Sequence, residues 1–202
     1  AVWGPMNTNF KDNKYIKLFV PDPWNNQTSI KPTELKNIYK LARDYAENYT
    51  DISIFKNLIN IKNFLFYIIK KNIVFDVLKS FPVYFNVFLK NGLKNYFLFF
   101  LFDIISLHTF KRLTYKENID FSLIFLNSLA HFQHNNWNDV KSEKDYFIFT
   151  NEILKIIFNI YKRYDSIIIY NGFSQKKIKS EYILRPINPI KFFKLFKINY
   201  KN

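Results

Sequence analysis

The order of apolar segments between residues 118 and 170 is the feature that most limits how this chain can fold. Residues 119–126 form a short, almost continuous apolar run, which is typical of a strand covered on both faces. Residues 142–164 then repeat apolar side chains at the three- and four-residue spacing of a long amphipathic helix, and residues 166–170 form a second short apolar run. Because strand, helix, strand is the order of a βαβ unit, the pattern predicts an α/β fold with a parallel-type sheet and helices on both faces.

The first half of the chain predicts one more strand and a helical block. Residues 15–20 have the composition of a strand and run into a proline-rich loop. Residues 52–108 are rich in Phe and carry several apolar stripes at helical spacing. We expect residues 1–202 to form one α/β domain that lacks its N-terminal part, with the block as an inserted cap and residues 118–200 holding the site.

The charge of the chain limits the classes of partner that it can bind. Of its 202 residues, 30 are Lys or Arg and 16 are Asp or Glu, which gives a net charge of +14. A positive potential favours anionic partners such as phosphorylated metabolites, lipid head groups or nucleic acid. The basic residues are mostly lysines spread through every segment, whereas nucleic-acid binders cluster Arg and aromatic residues on one face. Nucleic acid is therefore the least favoured of these partners.

The lack of cysteine and of a long apolar stretch excludes further classes. A chain without Cys has no disulfide, no thiolate zinc ligand and no cysteine nucleophile. The longest apolar stretch, residues 96–107, is interrupted by Asp103 and is shorter than the roughly 20 residues that span a bilayer. No transmembrane helix is therefore predicted.

Histidine and amide side chains after the strand at 119–126 form the first part of a candidate site. His131 and His134 are candidate ligands of one metal ion or phosphate, because residues three apart on a helical turn share a face. Asn127 and Gln133 are candidate substrate-binding residues, since α/β sheets place ligand sites at the carboxyl ends of their strands. A polar loop whose histidines form local hydrogen bonds explains the same residues, and both interpretations stay open.

Polar side chains after the second apolar run form the other part of the candidate site. Asn171, Ser174 and Gln175 follow residues 166–170 directly. Because neighbouring parallel strands end at the same edge of a sheet, we expect this loop to lie within side-chain reach of His131 or His134. Asn-Gly is also a common turn dipeptide, so an ordinary turn remains the alternative.

Five motifs along the chain carry a resemblance to a known family. They are Trp3-Gly4-Pro5, Phe19-Val20-Pro21-Asp22-Pro23-Trp24, Gln133-His134-x-x-Trp137, the run from Ile167 to Gln175, and Tyr182-Ile183-Leu184-Arg185-Pro186. Their order resembles the C-terminal half of the type I phosphodiesterases and nucleotide pyrophosphatases, in the alkaline phosphatase superfamily. The resemblance covers residues 1–30 and 118–200 and implies an alkaline-phosphatase-like fold with the helical block as an insertion.

The resemblance also implies a metal site that has lost ligands. Members of the family bind two metal ions, usually zinc, and their Thr or Ser nucleophile would lie upstream of this chain. Their Asp with a His four residues later aligns with Ala130 and His134, or with Asn127 and His131, and their Asp-His-Gly aligns with Asn171-Gly172-Phe173. The carboxylates that hold the metals are missing in every register. We therefore expect at most weak binding of one zinc or other divalent ion.

Three hypotheses about function follow from these observations. The first is a divergent phosphodiesterase- or phosphatase-like hydrolase domain that cleaves or binds an anionic phosphate or sulfate ester, free or linked to a saccharide. The second is a non-catalytic interaction protein of the same fold. The third, least favoured, is a basic nucleic-acid-binding protein. The Phe-rich block would pack on a second copy of the chain, another partner or a membrane surface.

Overall fold

The computed structural model describes residues 1–4, 14–23, 29–48, 54–92, 94, 96–136, 140–170, 191, 194 and 195. This part of the chain is mostly helical and also forms a small sheet. In chain order the elements are β1 (Val2–Trp3), β2 (Phe19–Val20), a 3-10 turn (Thr33–Leu35), α1 (Lys36–Asn48), α2 (Ile54–Lys70), α3 (Ile73–Asn91), α4 (Tyr96–Lys116), β3 (Leu123–Ile124), α5 (Ser128–Asn136) and α6 (Val140–Tyr161). The chain divides into two compact units, Ala1–Tyr170 and Asn171–Asn202, and all of these elements belong to the first.

The sheet is parallel and has the strand order β2-β1-β3. Val2 of the central strand pairs with Phe19 on one side and with Leu123 on the other. The prediction that residues 15–20 and 119–126 contribute strands to one sheet is therefore confirmed, although each strand has only two residues. Pro21, which has no N–H to donate, follows β2 directly and limits its length.

The strand predicted at residues 166–170 is wrong. These residues have no regular secondary structure and are exposed; Ile168, for example, is 86% exposed. An apolar run becomes a strand only where a neighbouring strand offers its backbone groups, and no described strand pairs with this segment. The helix predicted at 142–164 is present as α6, but the βαβ unit built around it does not form.

The helical block is present and supplies much of the core. Its helices α2, α3 and α4 continue to Lys116, beyond the predicted end at residue 108. Helix α4 contributes Phe110 to a cluster that contains Trp3, and Phe100 to a second cluster that contains Phe149 of α6. The rings of Trp3 and Phe110 meet edge to face, with centroids 6.4 Å apart. The block thus packs against the sheet and shares its core; that it is an inserted cap stays a prediction.

Helix α3 has two apolar stripes on opposite sides. The stripe that faces the protein consists of Ile73, Val77, Ser80, Tyr84 and Val87, which are buried or partly buried. The opposite stripe is exposed and has the same three- and four-residue spacing; it contains Phe75, Leu78, Phe81, Phe85, Phe88 and Leu89. A helix that is apolar all round is normally buried on all sides, and α3 departs from this rule because one of its two apolar stripes is exposed.

Candidate functional site at the carboxyl edge of the sheet

The three parallel strands end at one edge of the sheet. Gly4 follows β1, Asp22 lies two residues after β2, and Asn127 lies in the short loop between β3 and α5. Gly4 has a φ of +69°, which residues with a side chain rarely adopt, and its N–H donates to the carbonyl of Val20 at 2.7 Å. Asp22 follows β2 and Asn127 follows β3. Because β1 lies between these two strands, they are about 10 Å apart, twice the spacing of neighbouring strands.

Asp22 is a buried carboxylate that the sequence analysis did not select. Its side chain is 6% exposed, although it stands between two prolines at the end of a short strand. Buried carboxylates are kept only where hydrogen bonds or charges compensate them, so such a group at a strand end is a candidate functional residue. In the sequence, Asp22 stands two residues after the end of a strand, a position that often carries functional residues. Prolines on both sides of it favoured the interpretation of an ordinary loop.

Asn127 and His131 are brought together by the first turn of α5. The amide nitrogen Nδ2 of Asn127 lies 3.2 Å from Nε2 of His131, and the backbone N–H of His131 donates to the carbonyl of Asn127 at 3.1 Å. An amide nitrogen can only donate, so Nε2 accepts and the ring proton lies on Nδ1. This local hydrogen bond is the alternative that the sequence analysis left open for the histidines.

The His131 ring is half-buried against α4. It stacks on Phe99 with ring centroids 4.2 Å apart and ring planes 5° from parallel. Burial lowers the pKa of His131, and the neighbouring His134 lowers it further. His131 is therefore neutral at neutral pH and acts there as a hydrogen-bonding group.

The other two candidates on α5 do not take part in the Asn127–His131 hydrogen bond. The amide of Gln133 donates to the hydroxyl of Tyr146 on α6 at 3.4 Å, and His134 is exposed. Asn171, Ser174 and Gln175 lie outside the residues that the structure describes, so their predicted approach to α5 stays a prediction. Of the predicted site residues, the structure brings together Asn127 and His131.

Asp103 fixes the start of α5. Its carboxylate, buried in the core on α4, accepts the backbone N–H of Ser128 at 2.9 Å. Burial raises the pKa of Asp103 to about 6, and hydrogen bonds from residues 127 and 128 oppose this rise. Because Asp103 occupies the first N–H of α5, that N–H is not free to bind an anion at this edge.

The donor set at this edge does not fit a two-metal centre. Within the described ranges there is no group of three or more His, Cys, Asp or Glu side chains that could hold a metal ion. The lone pair of His131 Nε2 accepts a hydrogen bond from Asn127, and the Asp103 carboxylate is turned toward the start of α5. Binding of a single zinc ion through His131 and His134 stays a prediction.

Three further polar side chains, His108, Ser80 and Glu152, are buried among the helices. His108 on α4 is buried, and neither ring nitrogen has a hydrogen-bond partner among the described residues. Burial lowers the pKa of His108 to about 4, in surroundings that include Asp76 and Lys111. Nearby, the hydroxyl of Ser80 donates to the carboxylate of Glu152 at 2.7 Å, and both side chains are buried.

Comparison with protein-family models, with curated proteins and with solved structures finds no match to this chain. The class that the fold defines is thus an α/β protein, mostly helical, with a three-stranded parallel sheet.

Proposed function

We propose that this chain forms a divergent phosphodiesterase-like domain of alkaline-phosphatase type, and that it binds an anionic phosphate or sulfate ester. The observation that carries the proposal is the parallel sheet, whose carboxyl ends place Gly4 and the Asn127–His131 pair at one edge. Ligands of open parallel sheets bind outside the carboxyl ends of the strands. Three of the five motifs that resemble phosphodiesterase sequences begin in β1, β2 and α5.

The side chains at this edge suit binding better than cleavage. Asn127 and His131 offer N–H donors for an ester oxygen, and the net charge of +14 attracts an anion to the surface. Cleavage in the phosphodiesterases needs a Thr or Ser nucleophile and two metal ions, and the described residues do not fit two metals. The proposal is accordingly ester binding.

Calorimetric titration with bis(4-nitrophenyl) phosphate tests this proposal, and release of nitrophenolate in the same samples reports cleavage. We expect binding by the unmodified chain and about tenfold weaker binding by an Asn127→Ala, His131→Ala double variant. Asn159→Ala, which removes an exposed amide from α6, is the matched control and should bind normally. If the unmodified chain does not bind the diester, or both variants bind it equally well, the proposal is wrong.

A non-catalytic interaction protein is the second candidate function, and the exposed stripe of α3 favours it. The six large apolar side chains of the stripe are between 45% exposed (Phe88) and 64% exposed (Phe75 and Leu89). The rings of Phe81 and Phe85 stack on each other with centroids 6.0 Å apart. A continuous exposed apolar surface of this kind is typical of a protein or membrane interaction site.

The charge around the stripe favours an anionic lipid surface as its partner. Residues 54–94 contain seven lysines and one acidic residue, Asp76. Apolar residues on one helix face with lysines around them are typical of helices that lie in the membrane interface. No single described helix is long and apolar enough to cross a membrane; the segments Ile61–Lys70 and Ile73–Asn91 reach that length only together, bent by 104°.

Co-sedimentation with lipid vesicles tests the second candidate. We expect the chain to bind vesicles that contain phosphatidylglycerol and to leave pure phosphatidylcholine vesicles unbound. A Phe81→Ser, Phe85→Ser variant should lose this binding, whereas Phe121→Ser, Phe158→Ser, which changes two comparably exposed rings elsewhere, should retain it. A chain that light scattering shows to be monomeric and that ignores anionic vesicles would exclude this function.

A further inference from the structure

The outer side of β3 has no strand beside it in the part of the chain that the structure describes. On its inner side β3 pairs with β1, where the N–H groups of Leu123 and Phe125 donate to carbonyl groups at 2.9 Å. Successive residues of a parallel strand direct their backbone groups to alternate sides, so the N–H and C=O of Ile124 point to the outer side. Neither group of Ile124 has a hydrogen-bond partner among the described residues.

The opposite side of the sheet is occupied, which makes β3 the exception. Beyond β2, Phe19 exchanges two backbone hydrogen bonds with Lys31. Both residues of β2 are buried, whereas both residues of β3 are only partly buried. A strand whose backbone groups are open on one side is a template on which another strand can pair. The outer side of β3 is therefore a site for strand addition.

Residues 166–170 are a strand-like segment without a partner. Their sequence, Ser-Ile-Ile-Ile-Tyr, is rich in the β-branched and aromatic residues that favour strands. Residues 168–170 are nevertheless more than half exposed, and the backbone groups of 166–170 make no hydrogen bond to any described group. Exposed apolar side chains and open backbone groups both favour association, so this segment is suited to adding to the side of a sheet.

The start of this segment lies beside β3 of the same copy. The hydroxyl oxygens of Tyr164 and Ser122 are 2.6 Å apart, and the guanidinium of Arg163 donates to the carbonyl of Glu117 at 2.7 Å. The open strand side and the unpaired segment thus occupy the same region of each molecule. Two copies related by a two-fold axis through this region can therefore exchange their segments in both directions at once.

Local charge favours the approach of two copies through this region. Residues 117–126 contain two acidic residues, Glu117 and Asp120, and no basic residue. Residues 162–179 contain five basic residues and one acidic residue, Asp165. The acidic stretch that includes β3 in one copy is therefore complementary to the basic stretch that includes the segment of the other copy. This attraction offsets part of the repulsion between two chains that each carry a net charge of +14.

We propose that two copies of this chain form a dimer by reciprocal strand exchange, in which residues 166–170 of each copy pair with the outer side of β3 of the other. The exchange gives the backbone groups of Ile124 partners and covers the exposed isoleucines of the segment. Because each copy offers one open strand side and one segment, the assembly closes at two copies. This inference does not depend on ester binding at the carboxyl ends of the strands.

Sedimentation velocity of the full chain over a range of concentrations tests the proposal, and we expect a dimer. An Ile168→Pro, Ile169→Pro variant removes two successive N–H groups, one of which faces β3, and should dimerise about tenfold more weakly or not at all. Ile168→Val, Ile169→Val keeps both N–H groups and the β-branched side chains and should dimerise normally. Circular dichroism should show the same helix content in both variants, because the changed side chains are exposed.

Hydrogen exchange at single amides identifies the surface that pairs. The N–H of Ile124 should exchange about tenfold more slowly in the unmodified dimer than in the proline variant. The N–H groups of Leu123 and Phe125, which already donate to β1, should be protected in both proteins.

Three results would overturn the inference. The first is an unmodified chain that stays monomeric at all concentrations, whether or not its Ile124 amide is protected. The second is a dimer in which this amide exchanges as fast as in the proline variant. The third is a dimer that survives the proline substitutions and is lost in Phe81→Ser, Phe85→Ser, which would assign the interface to the exposed stripe of α3.

Discussion

Replacing Asp103 by asparagine should stabilise this protein at neutral pH and lose that advantage in acid. Asp103 is fully enclosed by the core, and its carboxylate accepts the N–H of Ser128 at the start of α5. The amide oxygen of an asparagine side chain at this position can accept the same hydrogen bond without a negative charge. The substitution therefore removes the burial of a charge and keeps the contact that fixes α5.

The size of the effect follows from the shift in pKa. Burial raises the pKa of Asp103 from 3.8 to about 6, and each unit corresponds to about 1.4 kcal/mol. Between these two values the folded protein binds its proton more tightly than the unfolded chain does, so stability is greatest below pH 3.8 and falls as pH rises through 6. The ionised carboxylate thus costs about 3 kcal/mol at pH 8.

Urea unfolding from pH 4 to pH 8, followed by tryptophan fluorescence, measures this effect. The free energy of unfolding of Asp103→Asn, relative to the unmodified protein, should rise by about 2 kcal/mol or more over this range. Asp120→Asn, at an exposed position, is the control and should show no such trend. A relative stability that stays constant or falls with pH would show that the Asp103 carboxylate is not penalised by burial.

Three further predictions concern the buried polar groups. Burial lowers the pKa of His108 to about 4, so the contribution of the neutral imidazole to folding stability is present above pH 6.5 and is lost as pH falls toward 4. His108→Leu should therefore reduce the loss of stability in acid by about 3 kcal/mol, measured in the same urea series. The contributions of His108 and Asp103 to stability change with pH in opposite directions. The stability of the unmodified protein should therefore change less between pH 4 and 6 than that of either variant. A steep dependence of its stability on pH in this range would contradict the prediction. Ser80→Ala should cost about 1–3 kcal/mol by removing the buried donor to Oε1 of Glu152, whose Oε2 keeps only Lys155 at 3.3 Å among the contacts of the described residues. Ser106→Ala, whose buried hydroxyl lacks a partner among the described residues, should cost little, and equal losses would refute the role of the Ser80 hydrogen bond.

Periodic patterns in the sequence were sufficient to predict the long helices and two strands. The stripe at 142–164 predicted α6, and the composition of residues 15–20 and 119–126 predicted two strands of one parallel sheet. The central strand β1 has two residues, too few to show a period. The strand expected at 166–170 failed because local composition does not show whether a neighbouring strand is available for pairing.

The candidate site was predictable only where its residues are close in sequence. Asn127 and His131 are four residues apart on one helical turn, so their contact follows from helix geometry. Asp103 lies in an apolar stretch of α4 and contacts a residue 25 positions away. A contact of this kind depends on how the helices pack, and a single sequence does not specify that packing.

The central position of β1 has a consequence for the order in which the protein folds. β1 pairs with β2 about 17 residues later, but its other partner, β3, lies about 120 residues later, after the helical block. A ladder of two two-residue strands has little stability of its own, so β1 and β2 would not hold together until β3 arrives. At a synthesis rate of roughly 5–20 residues per second, β1 waits about ten seconds on the ribosome for β3. Helices α1 to α4 can pack during that interval, and completion of the sheet is then a late step of folding.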